Sequence, residues 1–205
     1  MARKSDLSLK KQPRQARSVA TVMAIVEAAT YILSRGGLTN FTSNKVAERA
    51  GVNVASFYQY FPNKEALLFH IIQRTWEVQL ERLEPILMDG NVTPARRLRA
   101  FIRELMMVEA AETELRRGMR AASVELRETP EFKALFARGT ALFHNFLANA
   151  LRWREPDSIG FIVEATAILI TSFTERASDE ERSKDHLLRQ ADFLADLLIV
   201  RFGLT

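Results

Sequence analysis

Apolar side chains recur at helical spacing along almost the whole chain, whereas the alternating pattern of a half-buried strand is not found in the sequence. The pair Gly36-Gly37 is expected to end the first helix, as a left-handed C-cap would. Thr93-Pro94 and Thr129-Pro130 each combine an N-cap residue with proline at the first helical position. The pattern therefore predicts an all-α protein of about nine helices.

The predicted helices fall into two groups behind a polar N-terminus. Residues 1–17 are rich in basic side chains and are predicted to form a disordered arm. Residues 18–78 are predicted to form an N-terminal head in which three helices precede a fourth. Residues 79–205 are predicted to form a C-terminal helical bundle.

Charge separates these two groups. Basic residues greatly outnumber acidic ones in residues 1–75, and acidic residues are in slight excess beyond them, within a net charge of +4. This asymmetry favours a head that meets a polyanion, although a solvated basic surface would look the same.

Several classes of function find no support in the sequence. There is no cysteine for disulfides or thiolate metal sites, and the three histidines lack metal-ligand spacing. No nucleotide-binding or nucleophile motif occurs, so we expect no catalytic residue, no metal and no cofactor. The most apolar stretch, 159–173, is interrupted by Glu164 and is too short to span a bilayer. We therefore expect a cytoplasmic protein without membrane association.

A helix-turn-helix is predicted at residues 42–61. Small residues in the first short helix allow two helices to cross closely, and Gly51 supplies the turn. In the second short helix, Val54, Phe57 and Phe61 are predicted to face inward. The residues left outside carry hydroxyl, amide and aromatic groups, which suit a DNA groove. The alternative is a helical hairpin whose aromatic residues are merely exposed.

The runs Ala47–Asn53 and Ser56–Leu67 closely resemble the TetR (tetracycline-repressor) family of regulators. The upstream run Gln15–Ser18, which leads into Ile25–Ala29, resembles the first helix of that family. The resemblance covers about residues 15–75. Asn53 stands where Ser or Thr is the commoner cap, and Ala55 stands where glycine is frequent.

The resemblance implies a set of DNA contacts. Hydroxyls at the start of the second helix and a lysine at the start of the fourth would bind phosphate, and the second short helix would read bases. Lys45 could reach either a phosphate or a base. The predicted contacts are Thr42, Ser43, Lys45, Asn53, Ala55, Ser56, Tyr58, Gln59, Tyr60 and Lys64. The basic arm is either an added DNA contact or a solubilising tail.

Dimerisation is expected because one recognition helix reads too few bases to select a genomic site, which implies a palindromic operator. The resemblance places the interface in the last two helices of each subunit. The predicted interface residues are Ile162, Ala165, Leu169, Phe173, Leu187, Ala191, Leu194 and Leu198. The alternative is that these apolar stripes belong to the internal core.

A small, largely apolar effector is also implied by the resemblance. The middle helices carry methionine and aromatic side chains that suit an apolar pocket, or alternatively an ordinary core. The predicted pocket residues are Trp76, Met106, Met107, Met119, Phe136, Phe143 and Phe146.

The sequence thus predicts a homodimeric transcriptional regulator, a repressor that leaves its operator when a ligand binds the bundle. The alternatives are a regulator without an effector, an activator of the same fold, and an enzyme or protein-binding scaffold that carries a helix-turn-helix head.

Overall fold

The computed structural model describes residues 6–111, 113–151, 156–179 and 183–204. Within those ranges the chain forms nine helices, which confirms the all-α prediction. They are α1 (Ala16–Asn40), α2 (Ser43–Arg49), α3 (Val54–Tyr60), α4 (Lys64–Met88), α5 (Pro94–Ala111), α6 (Thr113–Ala122), α7 (Pro130–Ala150), α8 (Pro156–Asp179) and α9 (Lys184–Phe202).

Helix borders follow the capping chemistry of the sequence. α5 and α7 begin at Pro94 and Pro130, as predicted. The hydroxyl of Ser183 accepts a hydrogen bond of 3.3 Å from the backbone N–H of His186 and so caps α9. α4 contains Pro85 and runs on to Met88. Proline is tolerated there because, one turn from the end, its missing N–H removes a single hydrogen bond.

Contacts within the chain divide it into two compact units. Unit 1 is formed by Met1–Trp76 and Glu114–Lys133, and unit 2 by Glu77–Thr113 and Ala134–Thr205. The first boundary lies two residues before the predicted border at residue 78. Residues Glu114–Lys133, which include most of α6 and which the prediction assigned to the bundle, belong to unit 1.

α6 joins unit 1 through a small residue. A Cβ placed on Gly118 would lie 2.7 Å from the backbone carbonyl oxygen of Leu33 in α1, so only glycine permits this approach. Leu115 and Met119, on the same helix, are buried. A lone glycine in an otherwise polar helix gives the sequence no signal that points to this contact.

The core of unit 1 explains the apolar character of α1. By length and composition alone, α1 could cross a membrane, and it is the one such helix among the described residues. The core helix of a folded unit has the same composition, and Ile25, Ala29 and Leu33 are buried in unit 1. α1 leaves helical geometry at Gly37, whose φ and ψ are 59° and −167°, close to the break that the sequence predicts.

Unit 2 is organised around α5, which packs against α8 and α9. Leu98, Ile102 and Met106 of α5 are fully buried, as are the small residues Ala191 and Ala195 of α9. Small residues let two helices approach closely, so the apolar side of α9 serves the core of its own subunit.

Candidate nucleic-acid interface

The helix-turn-helix consists of α2, a tight turn and α3. Gly51 adopts a φ of 66°, the left-handed conformation that this turn requires and that glycine adopts without strain. The hydroxyl of Thr42 accepts from the backbone N–H of Lys45 at 3.3 Å, and Oδ1 of Asn53 accepts from that of Ala55 at 2.7 Å. Each short helix is therefore fixed at its N-terminus by a polar cap.

The inner face of α3 differs from the prediction at two positions. Phe57 and Phe61 are fully buried, as predicted, with ring centroids 5.8 Å apart. Val54 was predicted to face inward, but 37% of it is exposed. Tyr60 was predicted to contact DNA, but only 7% of it is exposed. Tyr60 is one turn from Phe57 and so shares its buried face.

The outer face of α3 carries Ala55, Tyr58 and Gln59, all exposed, with Ser56 half-buried beside them. Tyr58 is 43% exposed, and its ring meets that of Phe57 edge-on at a centroid distance of 5.1 Å. An aromatic ring held in this way presents its hydroxyl and one face to solvent with little rotamer freedom left to lose. These residues form the candidate reading surface.

Polar groups flank the reading surface on two helices. Thr42 is exposed and Ser43 half-buried at the start of α2, and Lys64 is half-buried at the start of α4. Lys45 is exposed, and its Nζ donates to Oδ1 of Asn40. Hydroxyl, ammonium and helix N-terminal groups are suited to bind phosphate.

One contact between α1 and α2, and one groove beside it, were not predicted from the sequence. The guanidinium of Arg49 lies 3.3 Å from the centre of the Tyr31 ring, which ties α2 to α1. An open groove of about 760 Å³ lies beside this pair and is lined partly by Lys45 and Glu48. Residues 18 positions apart on separate helices give no local pattern that would reveal such a pair.

The N-terminal segment also departs from the prediction. A disordered arm was expected over residues 1–17, but Leu7 is buried and the backbone N–H of Lys10 donates to the carbonyl oxygen of Tyr60 at 2.9 Å. Nδ2 of Asn63 donates to the carbonyl oxygen of Asp6 at 3.1 Å. The prediction is wrong for residues 6–10, which pack on the end of α3; residues 1–5 lie outside the described residues.

The predicted pocket residues are divided between the two units. Trp76 and Met119 belong to unit 1, and the remaining five belong to unit 2. Phe143 and Phe146 lie 6.1 Å apart, and Phe143 stacks on Phe101 at 5.8 Å. Met106 is fully buried, while Met107 and Phe136 are half-buried. The aromatic cluster is part of the core of unit 2.

The interface residues predicted on α9 lie in the interior of the subunit. Leu187, Ala191, Leu194 and Leu198 are all buried within the subunit, because this side of α9 belongs to the core around α5. Another side of α9 exposes Phe193, Leu197 and Val200. Both sides are apolar, so periodicity alone could not decide which one faces the subunit's own core.

The interface residues predicted on α8 are more accessible than those on α9. Leu169 is exposed, whereas Ile162, Ala165 and Phe173 are half-buried. Phe161 and Ile168, which were not predicted, are more exposed than any of these. α8 and α9 thus each leave a row of large apolar side chains without a partner in the described part of the subunit.

Residues 25–71 match the sequence profile of the bacterial regulatory proteins of the tetR family, a match that contains α2, the turn and α3. Residues 25–71 are therefore a DNA-binding region of the tetR family. Over 138 residues it is 30% identical to an uncharacterised HTH-type transcriptional regulator of Mycobacterium tuberculosis. That alignment covers 67% of this chain but only 62% of the relative, which is less than two thirds of its length.

Solved structures share the TetR fold over most of the chain. The repressor SmeT of the Stenotrophomonas maltophilia efflux pump SmeDEF superposes with a TM-score of 0.71 and 22% identity, covering 92% of each chain. The regulator FadR of Bacillus subtilis, solved with stearoyl-CoA, superposes with a TM-score of 0.66 and 20% identity over 86% of this chain and 97% of FadR. At these identities the likeness establishes the fold.

Proposed function

We propose that this chain is a cytoplasmic transcriptional regulator that binds a two-fold symmetric DNA operator as a homodimer. The observation that carries the proposal is the exposed outer face of α3, supported from behind by Phe57 and Phe61. An α-helix fits the major groove of B-DNA, and this face combines an amide, a hydroxyl and a methyl group.

The exposed groups divide into two roles. The side-chain amide of Gln59 would form two hydrogen bonds with adenine, and the methyl group of Ala55 would pack against the methyl group of thymine. Tyr58 and Ser56 would complete the reading surface. Thr42, Ser43 and Lys64 would hold the phosphates on either side and so set the position of α3 in the groove. Asn53 acts chiefly as a cap, since its Oδ1 is engaged with Ala55.

The second copy of the chain would pack on the exposed apolar rows of α8 and α9. Phe193, Leu197 and Val200 lie at the spacing of one helical stripe, and Phe161, Ile168 and Leu169 cover one side of α8. Large apolar side chains in continuous rows mark interaction surfaces on soluble proteins. Two helices from each subunit would form a four-helix interface.

A small, largely apolar ligand would act as the effector and release the regulator from DNA. Support comes from relatives of the same fold, since SmeT is a repressor of a multidrug efflux pump and FadR was solved with stearoyl-CoA. The Phe101, Phe143 and Phe146 cluster gives unit 2 an aromatic interior that suits such a ligand. Release requires that ligand and operator favour different conformations.

Selection of duplexes from a random DNA pool by the full chain tests the proposal. We expect enrichment of one sequence with two-fold symmetry, bound by two copies of the chain and increasingly weakly as salt rises. Addition of stearoyl-CoA to the selected complex then tests the effector class, with faster dissociation as the expected result. Failure to enrich any sequence would contradict DNA recognition, and dissociation unaffected by stearoyl-CoA would exclude long-chain acyl-CoA as the effector.

A further inference from the structure

The N-terminal segment is attached to the last residue of α3 and to Asn63, which directly precedes α4. Nδ2 of Asn63 donates to the carbonyl oxygen of Asp6 at 3.1 Å. The backbone N–H of Lys10 donates to the carbonyl oxygen of Tyr60 at 2.9 Å. Leu7 lies between them and is only 4% exposed. We call residues 6–10 the clasp. It spans the end of α3 and the start of α4, directly beside the candidate reading surface.

The clasp carries its own contact to the reading helix. Nζ of Lys10 lies 3.3 Å from the carbonyl oxygen of Tyr58, the residue whose ring is exposed on the outer face of α3. The ammonium group is exposed. A positive charge is thus placed at the end of the helix that enters the groove.

The residues that follow the clasp are strongly basic. Lys11, Arg14 and Arg17 are all exposed, and the sequence contains no acidic residue between Asp6 and Glu27. The carboxylate of Asp6 is turned back on the clasp, where it accepts from the N–H and the hydroxyl of Ser8 at 3.0 and 2.6 Å. Lys11 directly follows the residue that is bonded to Tyr60, so its Cα lies about 3.8 Å from that of Lys10.

We propose that the clasp orients Lys11 and Arg14 against the phosphate backbone of DNA at the edge of the groove that α3 occupies. The segment would thereby form a second DNA-contact element. This inference rests on the proposed function, because it assumes that α3 binds DNA. It assigns Leu7 a positioning role: the side chain touches no DNA but fixes the start of the basic segment.

The clasp orders the start of the basic segment before DNA binds. A free basic arm must lose backbone and side-chain freedom when it settles on DNA, which weakens the binding that its charges provide. A segment already held at residues 7 and 10 has lost much of that freedom before DNA arrives. The clasp should therefore raise the affinity without adding charge.

Four full-length proteins test this: the wild type, Leu7→Ser, Lys11→Ala/Arg14→Ala, and the combined triple variant. Val124→Ser is the control, since it also replaces an apolar side chain by serine in unit 1, but at a residue that is 63% exposed and lies outside the clasp. Affinity for the duplex selected by the wild type is measured over a range of salt concentrations. Circular dichroism at the assay temperature checks that each variant keeps its helical content.

Removal of Lys11 and Arg14 should reduce the slope of log affinity against log salt by about 1.8, which corresponds to two lost phosphate contacts. Leu7→Ser should weaken binding several-fold, Val124→Ser should not, and the triple variant should bind no more weakly than Lys11→Ala/Arg14→Ala. An unchanged slope, or a Leu7→Ser effect that simply adds to the effect of charge removal, would overturn the inference. Wild-type protein that selects no duplex would instead contradict the proposed function.

Discussion

Gly118 of α6 packs against the backbone carbonyl of Leu33 in α1, so closely that a Cβ would stand 2.7 Å from that oxygen. Backbone atoms in the middle of α1 cannot move aside cheaply. The contact therefore makes glycine a requirement at the point where α6 joins unit 1.

Gly118→Ala should lower the free energy of unfolding by about 1–3 kcal/mol, the usual cost of forcing an extra methyl into a packed site. Thermal melting followed by circular dichroism measures the change. Gly160→Ala is the matched control, because a Cβ there meets nothing within 4 Å and alanine is the better helix former. If both substitutions leave the melting temperature equal or higher, the close packing of α6 on α1 is wrong.

The pair Arg103–Asp192 should make unit 2 sensitive to acid. Arg103 donates two hydrogen bonds to the carboxylate of Asp192. Nε lies 2.6 Å from Oδ1, and Nη2 lies 2.7 Å from Oδ2. Hydrogen bonds from Arg103 hold the pKa of Asp192 below its ordinary value. A group with a lowered folded-state pKa stabilises the fold above its unfolded value of about 3.9, and this contribution is lost as the pH falls through the folded value.

Asp192→Asn should therefore flatten the dependence of the urea midpoint on pH below about pH 4. The coupling between Arg103 and Asp192 in a double-mutant cycle at pH 7 should be about 1 kcal/mol or less, because both side chains are partly exposed. Zero coupling together with an unaltered acid profile would show that the pair does not persist in solution.

Asn53 offers a way to separate capping from DNA contact. Asn53→Ala should destabilise unit 1 by about 1 kcal/mol, because the N–H of Ala55 loses its partner, whereas Asn53→Ser should retain most of the stability. Chemical denaturation of the three proteins measures this. If Asn53→Ser restores stability but not DNA affinity, the amide itself contacts DNA and its role extends beyond the cap.

We predict that the dimer interface includes the exposed side of α9 that carries Phe193, Leu197 and Val200. Val200 is 81% exposed, so Val200→Glu should leave the subunit folded but weaken dimerisation, since a charge would be buried between copies. Sedimentation over a range of concentrations measures the association. Val124→Glu places the same charge on another exposed valine, in unit 1, and should remain dimeric. A Val200→Glu protein that stays dimeric would exclude this face.

Local patterns were sufficient for the helices and for the helix-turn-helix, because caps, prolines and apolar periodicity act over a few residues. Thr42, Asn53 and Ser183 cap helices as their side chains predict. Burial within α3 was less well predicted. In a helix of seven residues the buried face is set by the packing partners, and these placed Tyr60 inside and left Val54 at the surface.

Contacts between distant residues could not be predicted from the sequence. Leu7 in a polar segment gives a weak hint of an anchor, but nothing near it identifies the end of α3 as its partner. The two sides of α9 are both apolar, so Leu194 and Leu197 look equivalent until the packing of α5 shows which of them is internal. Such choices depend on tertiary structure.

The exposed outer face of α3 is the proposed DNA-reading surface, and Tyr58→Ala measured against Met23→Ala tests it most directly. Both residues are large and exposed, at 43% and 65%, in the same unit, but only Tyr58 lies on the reading surface. Affinity of each folded variant for the duplex selected by the wild type is compared in one titration. We predict a loss of about tenfold or more for Tyr58→Ala, equivalent to at least ~1.4 kcal/mol, and little change for Met23→Ala. Equal affinities for the two variants would contradict the assignment of α3 as the DNA-reading helix.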